Sequence, residues 1–142
     1  MKQILLLVIM LCIGFPSHSQ KVMKKKIPAE AITKLNSMYP SAKNVEWVKD
    51  GTIYIAEFTD EKVQTSVLFD KTGELKQVVQ YLSLNELPKE SQDYLIKYYD
   101  VKKLRDISKV RDAKGGITFL VEVKKGLVVF DEYGKFLRAN KF

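Results

Sequence analysis

Carboxylates are the only side chains that could do chemistry in this chain once its first twenty residues are set aside. Cys12 is its one cysteine and His18 its one histidine, and both lie in the N-terminal stretch. Beyond Ser19 there is no Ser-His-Asp triad, no Cys-His pair and no thiolate or imidazole for structural zinc. Ser-x-x-Lys and glycine-rich phosphate loops are also missing. The remaining candidates are Glu57 and Glu122, which occupy matching places in two similar strands, Tyr54-Ile55-Ala56-Glu57-Phe58 and Phe119-Leu120-Val121-Glu122-Val123. A paired-carboxylate hydrolase holds its two acids about 5–10 Å apart. Matching positions in two halves of one long sheet are expected to lie farther apart than that. Asp70 and Asp131 lack the alternating oxygen ligands of a calcium loop and suit the openings of tight turns. No catalytic residue, metal ligand or cofactor site is therefore expected.

The stretch set aside has its own logic. Lys2 precedes an uncharged run, Ile4 to Ile13, followed by Gly14, Pro16 and the polar Ser17-His18-Ser19. The run is shorter than the roughly 20 residues needed to span a bilayer. Small residues at Ser17 and Ser19 fit a signal-peptidase site. Residues 1–19 are read as a signal peptide cleaved after Ser19, giving a periplasmic or secreted chain with no stable membrane insertion. A lipid-attached Cys12 is disfavoured because Leu11, a large residue, stands before it.

The mature chain of 123 residues carries a net charge of +6, with +1 up to residue 87 and +5 beyond it. Export argues against a nucleic-acid partner. Dispersed lysines read as a solvated surface, and Lys21, Lys24, Lys25 and Lys26 as a flexible basic leader over residues 20–26. With no disulfide, a chain of this size has to hold its fold by burying roughly two-thirds of its unfolded surface.

Internal similarity organises the rest. Ile27-Pro28-Ala29-Glu30 matches Leu87-Pro88-Lys89-Glu90 at an offset of 60, with Leu35 on Leu95 and Tyr39 on Tyr99. Val67-Leu68-Phe69-Asp70 matches Val128-Val129-Phe130-Asp131 at an offset of 61, each followed by Gly73 or Gly134. The expected fold is α+β: two tandem α-β-β-β-β repeats, 27–86 and 87–142, in one domain, 27–142, forming one curved antiparallel sheet with the helices on one face. Ile32, Leu35 and Tyr39 make the stripe of the first helix, and Leu95, Tyr98 and Tyr99 that of the second. Of Tyr94, Tyr98 and Tyr99, two are expected to cap the core and one to be exposed. Trp47 is read as core rather than as an exposed anchor.

By alternation, Tyr54, Ala56 and Phe58, with Phe119, Val121 and Val123, should lie beneath the helices. The opposite face then shows Ile53, Ile55, Glu57, Thr118, Leu120 and Glu122. Nothing in the sequence supplies a layer for it, so it is expected to be an open, half-apolar candidate binding face.

The residues Pro28, Tyr39-Pro40, Val45-Glu46-Trp47, Tyr54, Phe58, Phe69-Asp70 and Gly73, then Leu87-Pro88, Tyr99, Phe130-Asp131 and Gly134, resemble the PepSY-like family of small exported bacterial proteins. The resemblance covers about 27–137. It implies the fold of a β-lactamase-inhibitor protein, with two helix-plus-sheet repeats. The relatives are associated with inhibition of peptidases or other enzymes. With the open face and no catalytic set, the expected function is a non-enzymatic binding module for a protein or peptide, as an inhibitor of an envelope or extracellular enzyme. A small molecule or envelope ligand on the same face is the alternative.

Overall fold

The computed structural model describes residues 20–141. The expected signal peptide and its cleavage site lie outside the described residues. Two helices and a series of antiparallel strands make an α+β fold, and the chain divides between Gln80 and Tyr81 into two compact units.

In the first unit, β1 (Gln20–Lys21) precedes α1 (Ala29–Met38), followed by β2 (Glu46–Asp50), β3 (Ile53–Asp60), β4 (Val63–Phe69) and β5 (Leu75–Tyr81). The strands pair antiparallel in chain order, as short hairpin connections require. Pro28 takes the position just before the first helical residue, and Tyr39 ends the helix with its N–H on the Leu35 carbonyl, 2.8 Å away. Pro40 bars continuation, because the residue before a proline is pushed out of the helical region. Ala31 and Leu35 are fully covered and pack, with Ile32, Met38 and Tyr39, on Ala56, Phe58, Val67, Phe69 and Val78. Trp47 packs against the same core, its ring 5.8 Å from that of Phe69.

The leader is corrected by this unit. Residues 20–26 are not a loose tail: β1 pairs with β2, the Val22 N–H donates to the Trp47 carbonyl at 3.0 Å, and Lys24–Lys26 form a 3₁₀ turn. Val22 and Ile27 supply the reason. Both are apolar side chains placed on the helix-side core, and they tie down a segment that the intervening lysines make look solvated.

The second unit has α2 (Lys89–Tyr98), β6 (Ile107–Asp112), β7 (Ile117–Val123), β8 (Gly126–Asp131) and β9 (Phe136–Lys141), again antiparallel in chain order. Leu87, Leu95, Ile107, Phe119, Val121, Val128 and Phe130 form its core. Leu82 and Leu84 pack on that core and the Leu82 N–H donates to the Ile107 carbonyl, in keeping with a second unit that begins at Tyr81. On α2 the packing tyrosine is Tyr94, not Tyr98. Tyr94 and Tyr99 cover the core, whereas Tyr98 is 58% exposed, since it points one position round the helix from the stripe.

Three Asx turns close hairpins in the same way. Asp70 Oδ1 accepts from the Thr72 and Glu74 N–H groups, Asp112 Oδ1 from those of Lys114 and Gly116, and Asp131 Oδ1 from those of Tyr133 and Lys135. Gly73 and Gly134 take φ of 87° and 90° there, a region closed to most side chains.

Candidate functional site

The pairing register separates the two faces of each unit. On the helix side, Trp47, Ala56, Val67 and Val78 lie opposite one another across β2–β5, as do Ile107, Val121 and Val128 across β6–β8. The alternating residues form the second face. Across the first unit run Val48, Ile55, Leu68 and Gln77, and beside them Glu46, Glu57, Ser66 and Val79. Across the second unit run Ser108, Leu120, Val129 and Arg138, and beside them Glu122, Leu127 and Asn140. The expected division of faces is therefore the observed one, and neither helix packs on the second face among the described residues.

The expected exposure is not observed. Ile55 is 4% exposed, Leu120 1% and Glu122 5%; Ile53, Glu57 and Thr118 are half-buried. Within each unit the three candidates thus share a face but do not stand open to solvent. The physical reason is that the second face is nearly as apolar as the first. Leu68, Val79, Val110, Leu127 and Val129 surround the candidates, and all are buried. These five were missed by alternation taken from β3 and β7 alone. The available signal was the unbroken apolar runs Val67-Leu68-Phe69 and Leu127-Val128-Val129-Phe130, since strands buried on both faces read as continuous rather than alternating.

Glu57 and Glu122 differ in surroundings despite their matching places. Burial, together with Glu46 directly opposite on β2, pushes the Glu57 carboxyl above its ordinary value. Glu122 accepts from Arg105 Nη1 at 3.0 Å in an ion pair. Ser108 Oγ is buried on the second face of its own unit, with no hydrogen-bond partner among the described residues. Asp70 is committed elsewhere: the Thr72 hydroxyl, then Lys76 and the Thr72 and Glu74 backbone, hold its carboxyl far below the usual carboxylate range. Among the described residues, no three His, Cys, Asp or Glu side chains gather as a metal site, and no helix is long and apolar enough to cross a membrane.

No protein-family model matches the chain, and no curated protein matches it in sequence. Solved structures do. A DUF2874 family protein from Bacteroides ovatus superposes with a TM-score of 0.73 at 20% identity, over 81% of this chain and 87% of that one. A BLIP-like protein from Bacteroides fragilis gives 0.65 at 22% identity, over 80% and 86%. The chain has a BLIP-like fold. A protein from Bacteroides eggerthii, provisionally described as periplasmic, shares it with a TM-score of 0.72 at 20% identity, over 81% and 88%. At these identities the likeness to BLIP-like structures is one of fold.

Proposed function

We propose that this BLIP-like chain is a non-enzymatic binding module of the periplasm or cell exterior, which engages a protein or peptide through the second face of its strands. The observation that carries this reading is the apolar content of that face. Ile55, Leu68 and Val79 in the first unit, and Leu120, Leu127 and Val129 in the second, are large side chains on the face opposite the helix of their own unit. These side chains are already shielded in the structure, and on this reading a partner's apolar segment reaches the face through the half-buried Ile53 and Glu57 in the first unit and Thr118 in the second. Glu57, with its carboxyl already held in a poorly hydrated setting, and the Arg105–Glu122 pair supply polar contacts at the margins. Export and envelope location are supported by the N-terminal run and by the periplasmic description of the Bacteroides eggerthii protein. Membership of the PepSY-like family is supported by the motif residues quoted above. Tandem duplication is supported by the element order α-β-β-β-β in each unit and by two helices of 10 residues starting at matching prolines.

The test is capture from the cell envelope with the tagged chain 20–142 and its Ile53→Lys/Thr118→Lys double variant, at the half-buried candidates where a lysine can reach solvent in the free chain. The wild type should retain a partner that the variant loses while its far-UV dichroism stays unchanged. A charge placed in a partner interface costs several kcal/mol, enough to abolish capture. Unchanged capture, or a variant that cannot fold, would sink the reading.

A further inference from the structure

A cleft of about 510 Å³ opens in the first unit between β1, the 3₁₀ turn, α1 and β2. Ile32, Leu35, Val45 and Trp47 form its walls, and Lys21 and Lys24 stand among its lining residues. It lies on the helix side and so is independent of the second-face reading. The second unit shows why the cleft exists. At an offset of 60, Lys24 corresponds to Leu84 and Asn44 to Leu104. Leu84 and Leu104 both pack against the core of the second unit. In the first unit a lysine and an asparagine replace those two leucines, and a space remains. Asn44 also holds a positive φ of 54°, a conformation that costs most side chains energy and that asparagine tolerates best.

The charges at the cleft are unequal. Lys21 Nζ lies 3.1 Å from Glu46, so that acid already has its cation. Lys24 makes no ion pair among the described residues, and Lys25 and Lys26 follow it in the same turn. Apolar walls beside a free ammonium fit a ligand with an apolar tail and a single anionic head, held by burial of the tail and by a charge-assisted contact at the head.

We propose that this cleft binds an anionic amphiphile, a carboxylate or phosphate carried on an alkyl chain. Trp47 is the only tryptophan in the chain and lines the cleft, so its fluorescence reads occupancy directly. The mature chain is titrated with decanoate, octanoate, octan-1-ol and inorganic phosphate, all below micelle-forming concentrations. Decanoate should give a saturable change. Octanoate, shorter by two methylenes, should bind more weakly by roughly fourfold per methylene, the factor that corresponds to about 0.8 kcal/mol of burial. Octan-1-ol, lacking the charge, should bind at least about fivefold more weakly than octanoate, and octanoate affinity should fall with added salt. Phosphate alone should leave the fluorescence unchanged. Lys24→Leu, which restores the residue of the second unit, should weaken decanoate binding at least about tenfold without lowering the melting midpoint, and Lys24→Gln should weaken it without filling the space. No saturable response to decanoate, equal binding of octan-1-ol and octanoate, a saturable response to phosphate alone, or full affinity in both Lys24 variants would each overturn the proposal.

Discussion

Removing the ring of Phe58 should cost the chain 20–142 about 3–5 kcal/mol. Phe58 is 6% exposed, on the helix side of β3, within the cluster that holds Ala31 and Leu35 of α1. Its ring meets Tyr39 edge-on, with centroids 4.9 Å apart at 63°. Truncation to alanine therefore loses the transfer term, leaves a cavity under the helix and breaks an aromatic pair worth about 0.5–1.5 kcal/mol of the total. A chain of this size has roughly 6–18 kcal/mol of stability to lose, so the variant should fold but be weakened severely. Urea unfolding is the assay, followed by far-UV dichroism and by Trp47 fluorescence. With a urea slope of about 2 kcal/mol/M, the midpoint should fall by about 2 M. Trp47 packs on the same cluster, so its transition should shift by at least as much as the dichroism signal. A loss under about 1 kcal/mol with an unchanged slope would mean that Phe58 is not in the core, and the assignment of the two faces would fail with it.

Two further perturbations test other parts of the fold. A methyl group at Gly73 would sit 2.5 Å from Glu30 Cβ and 2.7 Å from the Ala31 nitrogen, whereas one at Gly51 would meet nothing within 4 Å. Both glycines have positive φ, so Gly51→Ala should cost about 1 kcal/mol from conformation alone. Gly73→Ala should cost at least twice that, because the helix start must move; equal losses in thermal unfolding would refute the close approach. Glu57→Gln should stabilise the chain at pH 7. The folded-state pKa of Glu57 is raised, so the ionised form is penalised at neutral pH, and the wild type gains stability as pH falls through the raised value towards the unfolded one near about 4.3. The advantage of glutamine in urea melts should therefore shrink on acidification; an advantage that grows instead would contradict the raised pKa.

Local patterns determined much of this protein. Pro28 and Pro88, the i, i+3, i+7 stripe of α1 and the Asp-x-x-Gly turns were legible because each depends on a few residues close in the chain. Parity assigned the helix-side residues Tyr54, Ala56, Phe58, Phe119, Val121 and Val123 correctly, since strand alternation is set by the backbone itself. The sequence also places its one cysteine, Cys12, and its one histidine, His18, in the N-terminal stretch, which composition alone decides. Tertiary structure decided what packs on what. The segment 20–26 looked like a solvated leader because of its lysines, yet Val22 and Ile27 anchor it to a core whose other members come from α1 and β2–β5. Leu68, Val79, Leu127 and Val129 show their second-face role only once cross-strand register sets them beside Ile55, Glu57, Glu122 and Leu120. The cleft beside Trp47 is lined by Lys24 and Asn44 together with residues of α1 and β2. Neither residue has meaning for a cavity until the chain brings the turn, the helix and the strand together, because a void is defined by the atoms around it and not by residues in sequence.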